Sequence, residues 1–243
     1  MALYAIADLH LSFGTDKPMD VFSGWSNYTE RIRQQWQRLV TPHDTVVIGG
    51  DISWAMKLTE TEKDFRFLEE LNGKKLLLKG NHDYWWSTKA KMDKYLEEKG
   101  FGSLFVLHNN YYVCDGTAVC GSRGWFYDAE TDADMLILNR EVGRLKMSIE
   151  PAVKAGYEPV VFLHYPPIYN GMECEEILSV LKEYGIKRCY YGHIHGGSAA
   201  KRAFNGEKYG IRFQLIACDH LGFCPLYIDP VEKAHSIEEN SGI

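Results

Sequence analysis

Five separate stretches of the chain carry a short apolar segment into side chains that bind metal or move protons. Leu3-Tyr4-Ala5-Ile6-Ala7 stops at Asp8-Leu9-His10, Val46-Val47-Ile48-Gly49-Gly50 at Asp51, and Leu76-Leu77-Leu78-Lys79-Gly80 at Asn81-His82-Asp83. Further on, Val160-Val161-Phe162-Leu163 stops at His164, and Cys189-Tyr190-Tyr191-Gly192 at His193-Ile194-His195. Together these ends supply three Asp, five His and one Asn. That exceeds the coordinating needs of one ion and points to a two-metal site, where a pair of cations about 3.5–4 Å apart shares an anionic ligand.

The elements that must position these groups follow from the runs themselves. Continuous apolar runs read as strands buried on both faces, and ligand sites in open α/β sheets lie just past the carboxyl ends of strands. A long polar and aromatic loop from Leu11 to about Ser26 follows the first strand, a length that is uncommon unless it forms a lid or binding loop. The next helix is predicted to start with a capping box of Asn27 and Glu30 and to carry an apolar stripe of Ile32, Trp36, Leu39 and Val40. A second helix is expected after Asp51, capped by Thr59 and Glu62 and stopped by Gly73, and a third from about Ser87 to Lys99. This β-α-β-α-β-α order implies parallel strands with right-handed crossovers.

The middle of the chain reads differently. Short strands near 104–108, 111–114 and 117–122 suggest a meander through turns at Asn109-Asn110 and Asp115-Gly116. An amphipathic helix is expected from about Asp132 to Ser148, with Pro151 as its end or a new first turn. A strand-helix-strand unit covers roughly 159–191, and two or three antiparallel strands close the chain through a hairpin turn near Asn205-Gly206. With no repeat and no low-complexity linker, the expectation is a single domain over residues 1–243 built on two packed sheets.

Composition narrows the setting. Apolar residues make up 45% and charged residues 25%, as in an ordinary globular protein. The formal charge of -6 argues against a nucleic-acid or anionic-membrane partner but not against a small phosphorylated substrate, because bound cations reverse the local field. No run has the length of a membrane span, and Met1 leads almost directly into the first strand without a basic and apolar leader, so a cytoplasmic location is expected. Six cysteines without a C-x-x-C pair read as buried thiols rather than disulfides or a zinc knuckle.

Asp8-x-His10, Gly50-Asp51, Gly80-Asn81-His82-Asp83, His164 and Gly192-His193-x-His195 resemble, in order, the motif set of the calcineurin-like metallophosphoesterases. The resemblance implies a four-layer α/β/β/α sandwich of two mixed β-sheets. It implies that Asp51 bridges two metal ions, that Asp8, His10 and His195 complete one site, and that Asn81, His164 and His193 complete the other. Mixed imidazole and carboxylate donors suit Mn, Fe or Zn, with Co and Ni also compatible, rather than Ca or Mg. The implied reaction is hydrolysis of a phosphomonoester or phosphodiester by a bridging hydroxide. His82, beside a ligand but outside the shell, is implied to protonate the leaving oxygen or to stabilise the phosphoryl charge.

One position departs from the pattern. In the protein Ser/Thr phosphatases of this superfamily an Asp three residues after the bridging Asp orients the catalytic His, and here that position is Trp54. Asp83 is the candidate substitute, or else it turns outward to cap the next helix. The segment therefore resembles a bacterial-type phosphohydrolase rather than a dedicated protein phosphatase. Two other readings stand beside it: a nuclease-type phosphodiesterase, disfavoured by charge, and a metal-binding scaffold without turnover. Trp54, Trp85, Trp86, Tyr165 and Tyr169 either wall a substrate pocket or pack beneath loops, and Arg123 either grips a phosphate or is structural. His43, His108, His220 and His235 match no motif and are expected to be ordinary surface or loop residues, His220 being the one nearest the final strands. Residue patterns do not fix the substrate or the oligomeric state.

Overall fold

Alternation along the strands assigns each side chain to one of two faces. In β1 (Leu3–Ile6), Leu3 and Ala5 enter one core and Ile6 another; in β2 (Thr45–Ile48), Val47 opposes Val46 and Ile48. The structure, a computed structural model, describes residues 1–126, 129 and 131–230. In its first sheet β1, β2, β3 (Lys74–Leu77) and β4 (Leu104–Val106) run parallel, and β13 (Leu226–Ile228) joins the outer side of β1 antiparallel, giving the order β13-β1-β2-β3-β4.

The second sheet contains β5 (Tyr112–Cys114), β6 (Thr117–Ser122), β7 (Glu158–Leu163), β10 (Arg188–Tyr191), β11 (Gly206–Lys208) and β12 (Ile211–Leu215). Its order is β11-β12-β10-β7-β6-β5, with the four inner strands parallel and the two outer ones antiparallel to their neighbours. A two-stranded ribbon of β8 (Ile168–Tyr169) and β9 (Met172–Glu173) lies outside both sheets.

Helices α1 (Tyr28–Leu39), α2 (Glu62–Glu69) and α3 (Lys89–Glu98) cover the first sheet, where Trp36, Phe65 and Leu96 pack against Ile6, Ile48 and Leu77. Helices α4 (Asp132–Lys154) and α5 (Glu175–Glu183) cover the second, with Leu145, Ile149 and Leu181 against Val161 and Leu215. A third core of Val47, Leu76, Val119, Phe162 and Ile216 fills the space between the sheets. The result is the expected four-layer arrangement of two mixed sheets flanked by helices. The two sheets meet at one edge: the Ala7 amide donates to Ile216 O at 2.8 Å and the Cys218 amide to Ala7 O at 2.9 Å, directly before Asp8.

Several local expectations are corrected. β4 belongs to the first sheet, so Asn109-Asn110 carries the chain from one sheet to the other and only Asp115-Gly116 closes a hairpin. α4 runs through Pro151 to Lys154. Proline forfeits one amide bond, to the carbonyl of exposed Met147, while buried Ile149 and Ala152 hold the helix to the core. The last hairpin turns at Tyr209-Gly210, and Asn205 instead uses its side-chain oxygen to accept the Leu215 amide at 2.8 Å. Of the closing strands, β12 is parallel to β10 and β13 lies in the other sheet. Asn27 precedes α1 in a left-handed conformation without a side-chain cap, and Glu60 rather than Thr59 accepts the Met56 and Lys57 amides ahead of α2. All six cysteines are free, as expected.

Candidate metal centre

Every predicted ligand lies past the carboxyl end of β1, β2, β3, β7 or β10, on the edge where the sheets meet. Ligand atoms of Asp8, His10, Asp51 and His195 fall within 4.8 Å of one another, as do those of Asp51, His164 and His193. Asp51 belongs to both groups. Asn81 Oδ1 lies 2.7 Å from His164 Nε2 and 2.8 Å from His193 Nδ1, so it joins the second.

Backbone geometry aims these side chains. Asp8, His10, Asp51 and His193 all have positive φ, between 46° and 72°, an uncommon choice for residues with a Cβ. The carboxylates are then pinned by amides: the His193 N–H donates to both oxygens of Asp8 at 3.0 and 2.9 Å, and the His82 N–H to Asp51 Oδ1 at 2.8 Å. Glycine makes room for them. A Cβ on Gly80 would sit 2.1 Å from Asp51 Oδ1, and one on Gly192 would sit 2.6 Å from Asp8 Oδ2.

The donor set fits cations. His164 Nδ1 lies 3.1 Å from the carbonyl of Gly49, which can only accept, so the proton stays on Nδ1 and Nε2 turns a lone pair inward. His195 sits between two carboxylates, with Nδ1 3.5 Å from Asp219 Oδ1 and Nε2 3.4 Å from Asp8 Oδ1. His10 Nε2 meets His195 Nε2 at 3.0 Å. Asp51 Oδ2 is buried without a hydrogen-bond partner among the described residues, an orphan that a cation would satisfy.

Charge points the same way. Burial, then Asp83 and Asp8, push the Asp51 carboxyl well up, so this site holds too much negative charge without a cation. Burial drives His164 and His193 down to about 3, leaving the neutral imidazoles that coordinate metals. His195 is the exception: burial opposes its charge, yet Asp8 and Asp219 outweigh it and raise that imidazole to about 10. Without a cation the ring itself therefore balances Asp8, and Nε2 offers a lone pair only when its proton leaves.

His82 is half-buried at the rim, its Nδ1 3.4 Å from the Tyr84 hydroxyl, and burial followed by His195 lowers its pKa. Asp83 neither faces outward nor bonds His82 among the described residues. It is buried and accepts from the amides of Gly80 (2.7 Å), Ile52 (2.9 Å) and Ser53 (3.3 Å) and from the Trp85 indole (3.0 Å), tying the Asp51 turn to the Asn81 turn. Trp54 stacks on His10 at 4.8 Å and flanks His82 at 4.5 Å. The long loop after β1 reaches this wall: Lys17 Nζ lies 4.9 Å over Trp54, and Trp25 packs 5.8 Å from His195.

Trp85 packs in the core against Phe65, Trp86 lines a neighbouring cavity, and Tyr165 contacts His193 at 4.5 Å. His43 and His220 are exposed, and His235 lies outside the described residues. His108 is half-buried, 3.0 Å from an Arg144 nitrogen. The residue that sequence reasoning missed is Asp219. Its signal was present, since Phe213-Gln214-Leu215-Ile216-Ala217 runs into Cys218-Asp219-His220 in the same format as the five recognised strand ends.

Comparison with known proteins fixes the family. The calcineurin-like phosphoesterase family matches residues 1–197, a span that includes every predicted ligand, and the chain belongs to it. No curated protein matches significantly. Solved structures share the fold. The phosphopantetheinyl hydrolase of Mycobacterium tuberculosis is 14% identical with a TM-score of 0.54, over 96% of this chain and 97% of that one. A protein of unknown function from Aquifex aeolicus is 17% identical with a TM-score of 0.50, covering 93% and 95%. A Thermus thermophilus protein is 12% identical with a TM-score of 0.53, covering 79% and 81%.

Proposed function

We propose that this calcineurin-like phosphoesterase hydrolyses small phosphoesters at a dinuclear centre, and that the whole chain serves as one catalytic domain. The observation that carries the reading is the membership of Asp51 in both ligand groups. Asp8, His10, Asp51 and His195 would hold one cation, and Asp51, Asn81, His164 and His193 the other, with Mn, Fe or Zn as the ions best matched to these donors. Bound there, such a pair supplies Lewis acidity toward phosphoryl oxygens and acidifies water at neutral pH.

The remaining work falls to the protein. A Tyr84 hydroxyl that donates to His82 Nδ1 leaves the imidazole proton on Nε2, available to a leaving oxygen or a phosphoryl oxygen. Asp83 acts as a positioning residue, because its four bonds hold the Asp51 and Asn81 turns in register. Trp54 closes the space beside His82, which favours a small substrate over a phosphoprotein loop. Six unpaired thiols support a cytoplasmic setting.

The test is metal content per chain, followed by hydrolysis of p-nitrophenyl phosphate and bis-p-nitrophenyl phosphate with Mn, Fe(II) and Zn. Two metals and turnover of one ester are expected, and preference between the esters assigns mono- or diesterase. Two bound metals with neither ester hydrolysed would count against the reading.

A further inference from the structure

A cavity of about 830 Å³ opens beside the metal centre on the same edge of the molecule. Its floor comes from the carboxyl ends of β3, β4 and β6, at Lys79, Leu107 and Arg123, whereas the ligands come from β1, β2, β3, β7 and β10. In both sheets the cavity is therefore the next position along: β4 follows β3, and β6 follows β7. Neighbouring strands are about 4.8 Å apart, which places the cavity roughly 5–10 Å from the nearer ligands. Arg123 joins the two regions. Its carbonyl accepts the amides of His164 (3.1 Å) and Tyr165 (2.9 Å), while its side chain lines the cavity.

The walls are strongly basic in a chain of negative net charge. Lys79, Lys89, Arg123, Arg140 and Arg144 face a single carboxylate, Glu141. Glu141 Oε1 is shared between Arg123 and Arg144, each 3.5 Å away, and Lys89 pairs with Asp93 at 2.6 Å. Arg140 has no ion pair among the described residues. The field is felt by His108, which burial and then Arg144, Lys79 and Lys89 push down to about 4. The start of α3, at Thr88 and Lys89, adds the positive end of a helix dipole.

Four residues that line this cavity also carry a buried side-chain atom with no hydrogen-bond partner among the described residues: Trp86 Nε1, Asn109 Oδ1, Arg123 Nε and Glu141 Oε2. Buried polar groups are normally satisfied, so four such atoms behind the walls of one basic cavity are a departure that side-chain rotation toward a bound ligand would relieve. Two are donors suited to phosphoryl oxygens. Two are acceptors suited to hydroxyl groups.

We propose that this cavity is an anion subsite that takes a second, non-scissile phosphoryl group, so that the preferred substrates are phosphoesters bearing two phosphates on a sugar-sized spacer. The proposal rests on the phosphoesterase reading. The second phosphate would bind Arg123, Arg140 and Arg144, the arginine fork being matched to phosphate, while the spacer's hydroxyls meet Asn109 and Glu141.

The test has two arms, both on the full chain. In the first, calorimetry follows binding of inorganic pyrophosphate after chelation of metals, in wild type and in Arg140→Gln/Arg144→Gln, with unchanged unliganded melting as the check on folding. Binding that weakens at least tenfold in the double variant, and also with added salt, is expected. No binding, or equal binding by both proteins, overturns the proposal. In the second, kcat/KM for adenosine 3′,5′-bisphosphate is compared with that for adenosine 3′- and 5′-monophosphate. A preference of at least tenfold for the bisphosphate, lost in the double variant, is expected; equal or undetectable turnover of these nucleotides overturns it. Loss of all hydrolysis, p-nitrophenyl phosphate included, with pyrophosphate binding intact would instead defeat the phosphoesterase reading.

Discussion

Asp219 holds one carboxylate oxygen 3.5 Å from His195 Nδ1, while its other oxygen accepts the Gly196 amide at 2.7 Å. The carboxylate keeps the proton on Nδ1 and directs Nε2 toward Asp8. Partners of this kind orient metal-ligating histidines, and their loss typically weakens metal binding ~10–100-fold. Asp219→Asn is therefore expected to lower the affinity of the site containing His195, with a smaller effect on the site containing His164. Titration with Mn, read as metal per chain at limiting metal, checks this; unchanged affinity would remove Asp219 from the ligand's support.

Asp51 and His82 should separate cleanly. Asp51→Asn is expected to lose both metals and with them turnover, because no other carboxylate belongs to both ligand groups. His82→Asn should retain metal and lose turnover by ~10²–10⁴-fold on alkyl phosphates, the range for a proton-transferring side chain, with a smaller loss on p-nitrophenyl phosphate. Metal analysis beside kinetics on the two esters decides it, and a His82 variant as active as wild type on both would end its assigned role.

Gly192→Ala tests the packing of the carboxylates. The new methyl group would meet Asp8 Oδ2 at 2.6 Å and the Ala7 Cβ at 2.7 Å, both anchored atoms where the two sheets join. Overpacking of this kind costs ~1–3 kcal/mol. The variant should melt at lower temperature and bind less metal, whereas Gly100→Ala, at a site open within 4 Å, should strain only its own turn and keep its metal.

Lys75 gives a pH dependence far from the centre. It is fully buried, and Nζ donates to the carbonyls of Leu71 at 2.6 Å and Gly73 at 2.8 Å. Burial lowers its pKa to about 8 from the ordinary 10.5. Between those values the unfolded chain binds the extra proton, so stability rises with pH, by ~3 kcal/mol across the window, and Lys75 contributes no slope well below pH 8. Denaturant unfolding of wild type and Lys75→Met from pH 7 to 10.5 should show this rise in wild type alone. Parallel curves would contradict it.

Much of the fold and most of the candidate site were legible because the signals were local. A strand that ends on Asp-x-His or Asn-His-Asp shows both its burial and its chemistry in under ten residues. What escaped detection depended on tertiary choices. Nothing in Leu104–Val106 distinguishes a strand of one sheet from a strand of the other, so β4 was assignable only once β3 had taken it. Pro151 reads as a stop because propensity is local, yet the buried face of α4 overrides it. Asp83 looked like a catalytic partner by its position beside His82, while its actual bonds reach back to Gly80 and across to Ile52. The basic cavity was invisible because its arginines come from segments that no motif connects.

The left-handed backbone at Asp8, His10, Asp51 and His193 has a cost in folding that their chemistry must justify. Side chains with a Cβ in that region raise the energy by ~1–3 kcal/mol each when the surroundings enforce it. Glycine in these positions would relieve the tension while abolishing the ligands. A glycine variant at any of the four should therefore gain folding stability as it gives up a candidate ligand, so ease of folding and cation binding are set against each other at these positions.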